Sequence, residues 1–400
     1  MSEGRIHLSV PHMGELEAKF VADAFRTNRL SSVGPHIDAF ERAVAARLGG
    51  EVHTVAVTSG TAALHLVLRY IGVGRGDRVA VQSATFAGSV FPVMYLGAEP
   101  VFIDSEDISG NMDPALVREY FADARRKNQL PKALIAVHLY GQHADLDPIL
   151  QTCEEYGVTL IEDAAESLGS TYKGRETATT APFSILSFNG NKIITTTGGG
   201  MCVSRDPAAA PVFRKWATQS KEAKVEYEHT EVGYNYRMSN VLAGIGRGQL
   251  CVLEQRIAQR RRVARRYAEA LADIPGVTLQ PEAPWGTHTR WLSVIHIDPA
   301  VHDVARDDIV RTLDAHDVEV RPTWRPMHTQ PLLRGATTIG GSVSERHFAR
   351  GLCLPSSSSL SERDQDRVID LLRECLAPPA AAHGAHATRA AELGIAQRTW

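Results

Sequence analysis

The feature that most limits how this chain can fold is a repeated alternation between residues 53 and 205. Short runs rich in apolar and β-branched residues lie at 54–57, 78–81, 100–103, 133–137, 159–161, 183–186 and 200–203. Between several of them lie stretches of helical period, at 61–70, 113–126 and 146–156. Alternation of this kind predicts an α/β fold, with a mostly parallel central sheet flanked by helices on both faces. Ligands of such sheets sit beyond the carboxyl ends of the strands, so catalytic groups are expected there.

The flanking segments complete the layout. Residues 14–26 and 36–47 read as two helices split by Ser31-Ser32-Val33-Gly34-Pro35. A long helical pattern runs over 239–274, with Ser239 as its N-cap. The Pro- and Gly-marked stretch after Ile274 opens a smaller α+β domain. It has strands near 291–297 and 318–320 and helices near 305–316 and 362–375. The reading is a large domain over 1–274 that includes the N-terminal helices and the long linking helix, a small domain over 275–376, and a tail over 377–400. A chain of 400 residues is too long for one compact core.

Charge and composition exclude several roles. The formal net charge of −3 gives no reason to expect nucleic acid or an anionic membrane as partner. The basic run Arg256-Ile257-Ala258-Gln259-Arg260-Arg261-Arg262 lacks interleaved aromatics and reads as a solvated helix face. No window approaches the ~20 apolar residues of a membrane span. Cys153, Cys202, Cys251, Cys353 and Cys375 form no Cys-x-x-Cys pair, which points to reduced thiols and a cytoplasmic setting. His138, His143, Asp145 and Asp147 match no common zinc spacing, so no metal is expected.

Four local features carry chemistry. Between Glu176 and Arg205 the only charged residue is Lys192. Burying an ammonium is costly unless it is paired or loses its proton, and such lysines serve as Schiff-base formers and proton shuttles; the plain alternative is a lysine that snorkels to solvent. The run ending Ile161-Glu162-Asp163-Ala164-Ala165-Glu166 delivers acids at a strand's carboxyl end. Asp163 there suits the protonated nitrogen of a pyridine ring; helix capping is the alternative. Thr58-Ser59-Gly60-Thr61 joins a strand to a helix start and can form a phosphate cup. Phe86, after the strand at 78–81, can stack on a planar cofactor or serve as core.

Taken in order, the motifs resemble those of the DegT/DnrJ/EryC1/StrS family of fold-type I, pyridoxal 5'-phosphate (PLP) dependent nucleotide-sugar aminotransferases. The motifs are Ser59-Gly60-Thr61-Ala62-Ala63-Leu64, Val137-His138-Leu139-Tyr140-Gly141-Gln142, Glu162-Asp163-Ala164-Ala165-Glu166-Ser167, Ser187-Phe188-Asn189-Gly190-Asn191-Lys192, and Gly233-Tyr234-Asn235-Tyr236-Arg237-Met238-Ser239-Asn240. The resemblance implies that Lys192 holds PLP as a Schiff base and that Asp163 pairs with the ring nitrogen. It implies Glu166 near the ring hydroxyl, where relatives often have Gln, and Phe86 stacked on the ring. Gly60, Thr61 and Ser187 would bind the phosphate, and Asn235 would reach the neighbouring site of a homodimer. Thr179-Thr180-Ala181-Pro182 departs from the family, which often has a Gly-Asp pair there.

Narrower motifs resemble enzymes that aminate C4 of a UDP-2-acetamido-4-keto-2,6-dideoxyhexose, of the bacillosamine and legionaminic type. These are Asn189-Gly190-Asn191-Lys192-Ile193-Ile194-Thr195-Thr196, Arg321-Pro322-Thr323-Trp324-Arg325-Pro326-Met327-His328 and Gly351-Leu352-Cys353-Leu354-Pro355-Ser356. The family resemblance implies L-glutamate as donor, and the narrower motifs imply Trp324, Met327 and His328 as substrate contacts; the alternative for these three is small-domain packing. Other readings are amination at C3, a dTDP- or GDP-linked sugar, a 3-dehydratase, and a non-catalytic regulatory relative. Retention of Lys192 and Asp163 disfavours the last.

Overall fold

The structure, a computed structural model, describes residues 4–377. Apart from Ala377, the expected tail lies outside the described residues. Eight strands form the central sheet in the order His53–Val57, Gly200–Ser204, Phe183–Ser187, Thr159–Asp163, Ala133–Val137, Arg78–Gln82, Glu99–Ile103 and Thr338–Ile339. From Phe183–Ser187 onward every neighbouring pair is parallel. Gly200–Ser204 runs antiparallel to both its neighbours. The mostly parallel sheet is therefore present, with one reversed strand. A parallel return needs a crossover, usually a helix, and residues 188–199 contain none. Ala133–Val137 is buried along its whole length, which its unbroken apolar run requires when both sheet faces are covered.

Helices Gly60–Tyr70, Pro114–Arg126 and Leu146–Tyr156 fill crossovers. Each has a local start or stop signal. The Ser59 side chain accepts from Ala62 N–H, the Asp113 side chain accepts from Ala115 N–H, and Gly157 ends its helix at φ 68°. Gly60–Tyr70 is buried continuously from Ala62 to Leu68, which makes it a core helix between sheet and neighbours.

The long helix expected over 239–274 is instead two, Asn240–Leu250 and Leu253–Ala270. Ser239 does cap the first, its side chain accepting from Leu242 N–H. The break lets the halves serve different partners. The first packs on the N-terminal helices Glu15–Arg26 and Pro35–Arg47, and the second on the C-terminal sheet. That sheet has the order Val277–Leu279, Ser293–Ile297, Gly351–Leu354, Arg321–Pro322, all antiparallel. The strand expected at 318–320 is displaced to Arg321–Pro322, because Val318 is spent on a bridge to Ile6. The chain beyond residue 275 also returns to the large sheet, adding Thr338–Ile339 as its edge. Among the described residues no helix is long and apolar enough to cross a membrane.

The basic run on Leu253–Ala270 is not a solvated face throughout. Arg256 and Arg260 are buried. Arg260 donates to the carbonyls of Trp291 and Ser356 and to Ser9 Oγ. Burial pulls its guanidinium down to about 9, with Arg256 adding to the effect.

Candidate active site

Lys192 sits in the loop after Phe183–Ser187. The carbonyl of the preceding residue, Asn191, accepts from Ser9 Oγ at 2.8 Å and from the Trp291 indole N–H at 2.7 Å. The Lys192 amine lies 4.2 Å from the centre of the Trp291 ring and 3.6 Å from Glu166 Oε1. Its side chain is 13% exposed, so the lysine is partly rather than fully buried, and it is paired there, while Asn189 and Asn191 beside it are exposed.

Glu162 and Asp163 are successive residues of one strand, so their side chains leave opposite faces. Asp163 Oδ2 accepts from Ser89 Oγ at 2.7 Å, and Oδ1 accepts from Ala165 N–H at 3.1 Å. Glu162 turns away into a nest of donors. Its Oε1 accepts from the N–H groups of Thr180 at 2.8 Å and Ala181 at 2.6 Å, and Oε2 from Ala178 N–H at 3.1 Å. This is what the departure at Thr179-Thr180-Ala181-Pro182 builds locally.

Glu166 is buried, with Oε2 accepting from Tyr140 N–H at 2.8 Å and Oε1 from Trp324 Nε1–H at 3.2 Å. Burial raises its carboxyl above the usual range, and the nearby Lys192 opposes that rise. Tyr140 reaches Glu166 from a left-handed backbone, φ 56°, and its hydroxyl accepts from Trp324 N–H at 2.7 Å.

At the other end, Ser59-Gly60-Thr61 opens the helix Gly60–Tyr70. The strand beginning at Gly200 lies directly against this turn, where a Cβ on Gly200 would stand 2.2 Å from the Ser59 carbonyl carbon. A helix start with free N–H groups suits a phosphate.

These parts face one cavity of about 290 Å³. Gly60, Thr61, Phe86, Asp163, Glu166, Ser187, Lys192 and Trp324 all line it. Phe86 is 56% exposed, its ring centroid 5.3 Å from that of Trp324. Asn235 does not line the cavity; it is exposed and bridges to Thr218. Met327 and His328 do not line it either. Met327 is buried in the main core, and its N–H donates to the Ser83 carbonyl. His328 bridges Ser83 Oγ at 2.6 Å and Glu345 Oε1 at 3.0 Å. Four residues that hold the site were given no role from the sequence: Thr85, Ser89, Trp291 and, although it lies in one of the motifs, Tyr140.

Of the four residues weighed for a metal, Asp145 accepts from Tyr172 Oη at 2.6 Å, and Asp147 pairs with Lys173 and Arg175 at the surface. His138, His143 and Glu162 converge instead. The Ala144 N–H points at His138 Nδ1 at 3.2 Å, so the proton of the neutral ring sits on Nε2, facing Glu162 at 3.1 Å. A protonated nitrogen has no lone pair for a metal, and the geometry is that of a hydrogen-bonded pair.

The residues fit a phosphorylated pyridine aldehyde. Asp163 faces the cavity with two neutral donors only, leaving its charge for a cationic ring nitrogen. The same cavity presents a primary amine, an anion-binding helix start and an exposed aromatic ring. Fold and site together define an α/β protein whose cavity gathers a lysine amine, a strand-end carboxylate and a helix start, a set that suits a phosphorylated pyridine aldehyde.

The chain belongs to the DegT/DnrJ/EryC1/StrS aminotransferase family, which it matches over residues 11–373. It is 47% identical over 372 residues to EpsN of Bacillus subtilis (strain 168), provisionally named a pyridoxal phosphate-dependent aminotransferase, covering 92% of this chain and 95% of that one. It is 36% identical over 373 residues to the GDP-perosamine synthase of Caulobacter vibrioides, covering 93% and 98%. Among solved structures it superposes on the aminotransferase TlmJ from Streptoalloteichus hindustanus with a TM-score of 0.84 and 31% identity, over 93% of this chain and 99% of that one. The protein is a PLP-dependent sugar aminotransferase.

Proposed function

We propose that this enzyme moves an amino group from L-glutamate to the C4 ketone of UDP-2-acetamido-2,6-dideoxy-4-keto-hexose, by a ping-pong mechanism in the cytoplasm. The observation that carries amino transfer is the meeting of Lys192, Asp163 and the Gly60–Tyr70 helix start in one cavity. The choice of sugar rests on the motifs around Lys192, Trp324 and Cys353. A second reading, a GDP-linked sugar, is favoured by the 36% identity to a GDP-perosamine synthase.

PLP, when bound, supplies an aldehyde for amine exchange and a ring that accepts electron density from the substrate carbon. In our reading Asp163 keeps the ring nitrogen protonated, and Gly60, Thr61 and Ser187 take the phosphate. Phe86 covers the ring, and Glu166 stands at the ring hydroxyl. Asn235 reaches the neighbouring site of a homodimer. Lys192 Nζ is the proton carrier: it takes the proton from the donor's α-carbon in one half-reaction and delivers one to sugar C4 in the other. Trp324 is the wall against the sugar. Met327 and His328 act behind that wall, tying its loop to Ser83.

The test is a panel. Enzyme, PLP and L-glutamate are incubated with UDP-, GDP- and dTDP-linked 4-keto sugars, and the products are read by mass and NMR. A C4 amine on the UDP sugar with matching 2-oxoglutarate is expected. Amination confined to the GDP sugar selects the second reading, and loss of a C3 hydroxyl without 2-oxoglutarate overturns both.

A further inference from the structure

We propose that Trp291 and Glu166 form a berth for the free Lys192 ammonium, favouring the states in which this lysine is not bonded to cofactor. The inference rests on the reading that Lys192 is the residue that bonds PLP. Trp291 is a positioning residue from the opposite half of the chain, and the family motifs around Lys192 do not include it.

Three observations build the berth. The Lys192 amine lies 4.2 Å from the Trp291 ring centre, within cation–π range. Glu166 Oε1 is 3.6 Å from the same nitrogen. The ring cannot drift, because its indole N–H is bonded to the Asn191 carbonyl at 2.7 Å and its own carbonyl accepts from the buried Arg260. Arg260 also reaches Ser9 Oγ at 3.1 Å, and Ser9 donates to that same Asn191 carbonyl at 2.8 Å. The peptide next to Lys192 and the surface its amine rests on are thus parts of one hydrogen-bonded assembly anchored on the buried Arg260.

The consequence follows from linkage. When a primary amine condenses with an aldehyde, water leaves and the nitrogen must follow the new bond to carbon. Contacts made by the free ammonium and lost on bonding shift the balance toward the free lysine by their own equilibrium factor. The berth would therefore ease the exchange in which an incoming amino group replaces Lys192.

Pyridoxine 5'-phosphate carries a hydroxymethyl group in place of the aldehyde and binds without that bond. The ratio of its Kd to that of PLP isolates the covalent part. Trp291→Leu is expected to raise this ratio by about threefold to tenfold. Glu166→Gln, which leaves the ring in place, is expected to raise it too, and it carries the test if the leucine variant does not fold. Trp291→Phe, which keeps a ring face, should stay within about twofold of wild type. An unchanged or lowered ratio in Glu166→Gln and in any folded Trp291→Leu overturns the berth. A wild-type protein in which borohydride fixes no pyridoxyl group on Lys192 removes the underlying reading, and the berth with it.

Discussion

Ser89 Oγ donates to Asp163 Oδ2 at 2.7 Å and stands 2.7 Å from Thr85 Oγ1. Ser89 has one hydroxyl proton and spends it on the carboxylate, so Thr85 is the donor of the second bond. The strand-end acid is thereby oriented by a two-hydroxyl relay built from the loop that also carries Phe86. A hydrogen bond to a charged group contributes about 1.5–3 kcal/mol. Ser89→Ala should slow the glutamate half-reaction, followed by cofactor absorbance, by about tenfold, with Asp163→Asn slower still. Wild-type rates in Ser89→Ala would refute the relay.

Gly200 presses the reversed strand onto the Ser59 turn with no room for a methyl group. Gly200→Ala must push the turn aside, and overpacking of this kind costs about 1–3 kcal/mol. Because the turn is the proposed phosphate cup, the variant should also bind pyridoxine 5'-phosphate more weakly. A lower denaturation midpoint with unchanged binding would place the phosphate elsewhere.

Histidines withdrawn from solvent weigh on the acid side of stability. Burial holds His143 and His288 well below the usual histidine range, and burial together with His347 brings His296 down to about 4. For a base whose folded pKa is depressed, the unfolded chain takes up protons that the folded chain refuses. Stability is then full above about pH 6.5 and declines as pH falls, by about 1.4 kcal/mol per pH unit for each such histidine. For His296 the decline ends near pH 4. Glu166 and Glu176, raised by burial, work in the opposite sense above about pH 4.5 and are outnumbered. Denaturant midpoints measured from pH 7 to pH 5 should fall, and His143→Asn should flatten the slope. A midpoint independent of pH in this range would contradict the assignment.

Trp324 and Met327 lie three residues apart with different environments. Trp324→Ala should raise KM for the keto-sugar while leaving the glutamate half-reaction near wild type. Met327→Ala removes a buried core side chain and should cost about 2–5 kcal/mol in stability, with KM little changed. The reverse pattern would move the sugar to the other side of this loop.

The groups most legible in the sequence are those fixed by their own segment. Lys192 stands out through the absence of neighbouring charge, Asp163 through its place at a strand's end, and Ser59 through the helix it caps. What stayed hidden depends on contacts between distant segments. Ser89 sits in a short turn and gains its role from a residue 74 positions away. Trp291 meets Asn191 across 100 positions. Arg256 and Arg260 read as part of a solvated basic face because helical period does not say which side a neighbouring sheet will cover. Residues 239–274 kept one helical pattern across a break that only the two packing partners explain. Met327 and His328 shared a motif with Trp324, but the motif could not say that the chain turns at Pro326 and sends them behind the wall.

The buried guanidinium at 260 ties together pieces of chain that synthesis makes far apart in time. Ser9 leaves the ribosome well before Ser356, yet both end on the same side chain. The surroundings of Lys192 are therefore not complete until Ser356 has been made. Trimming the first dozen residues should be felt at position 192 even though no motif lies there.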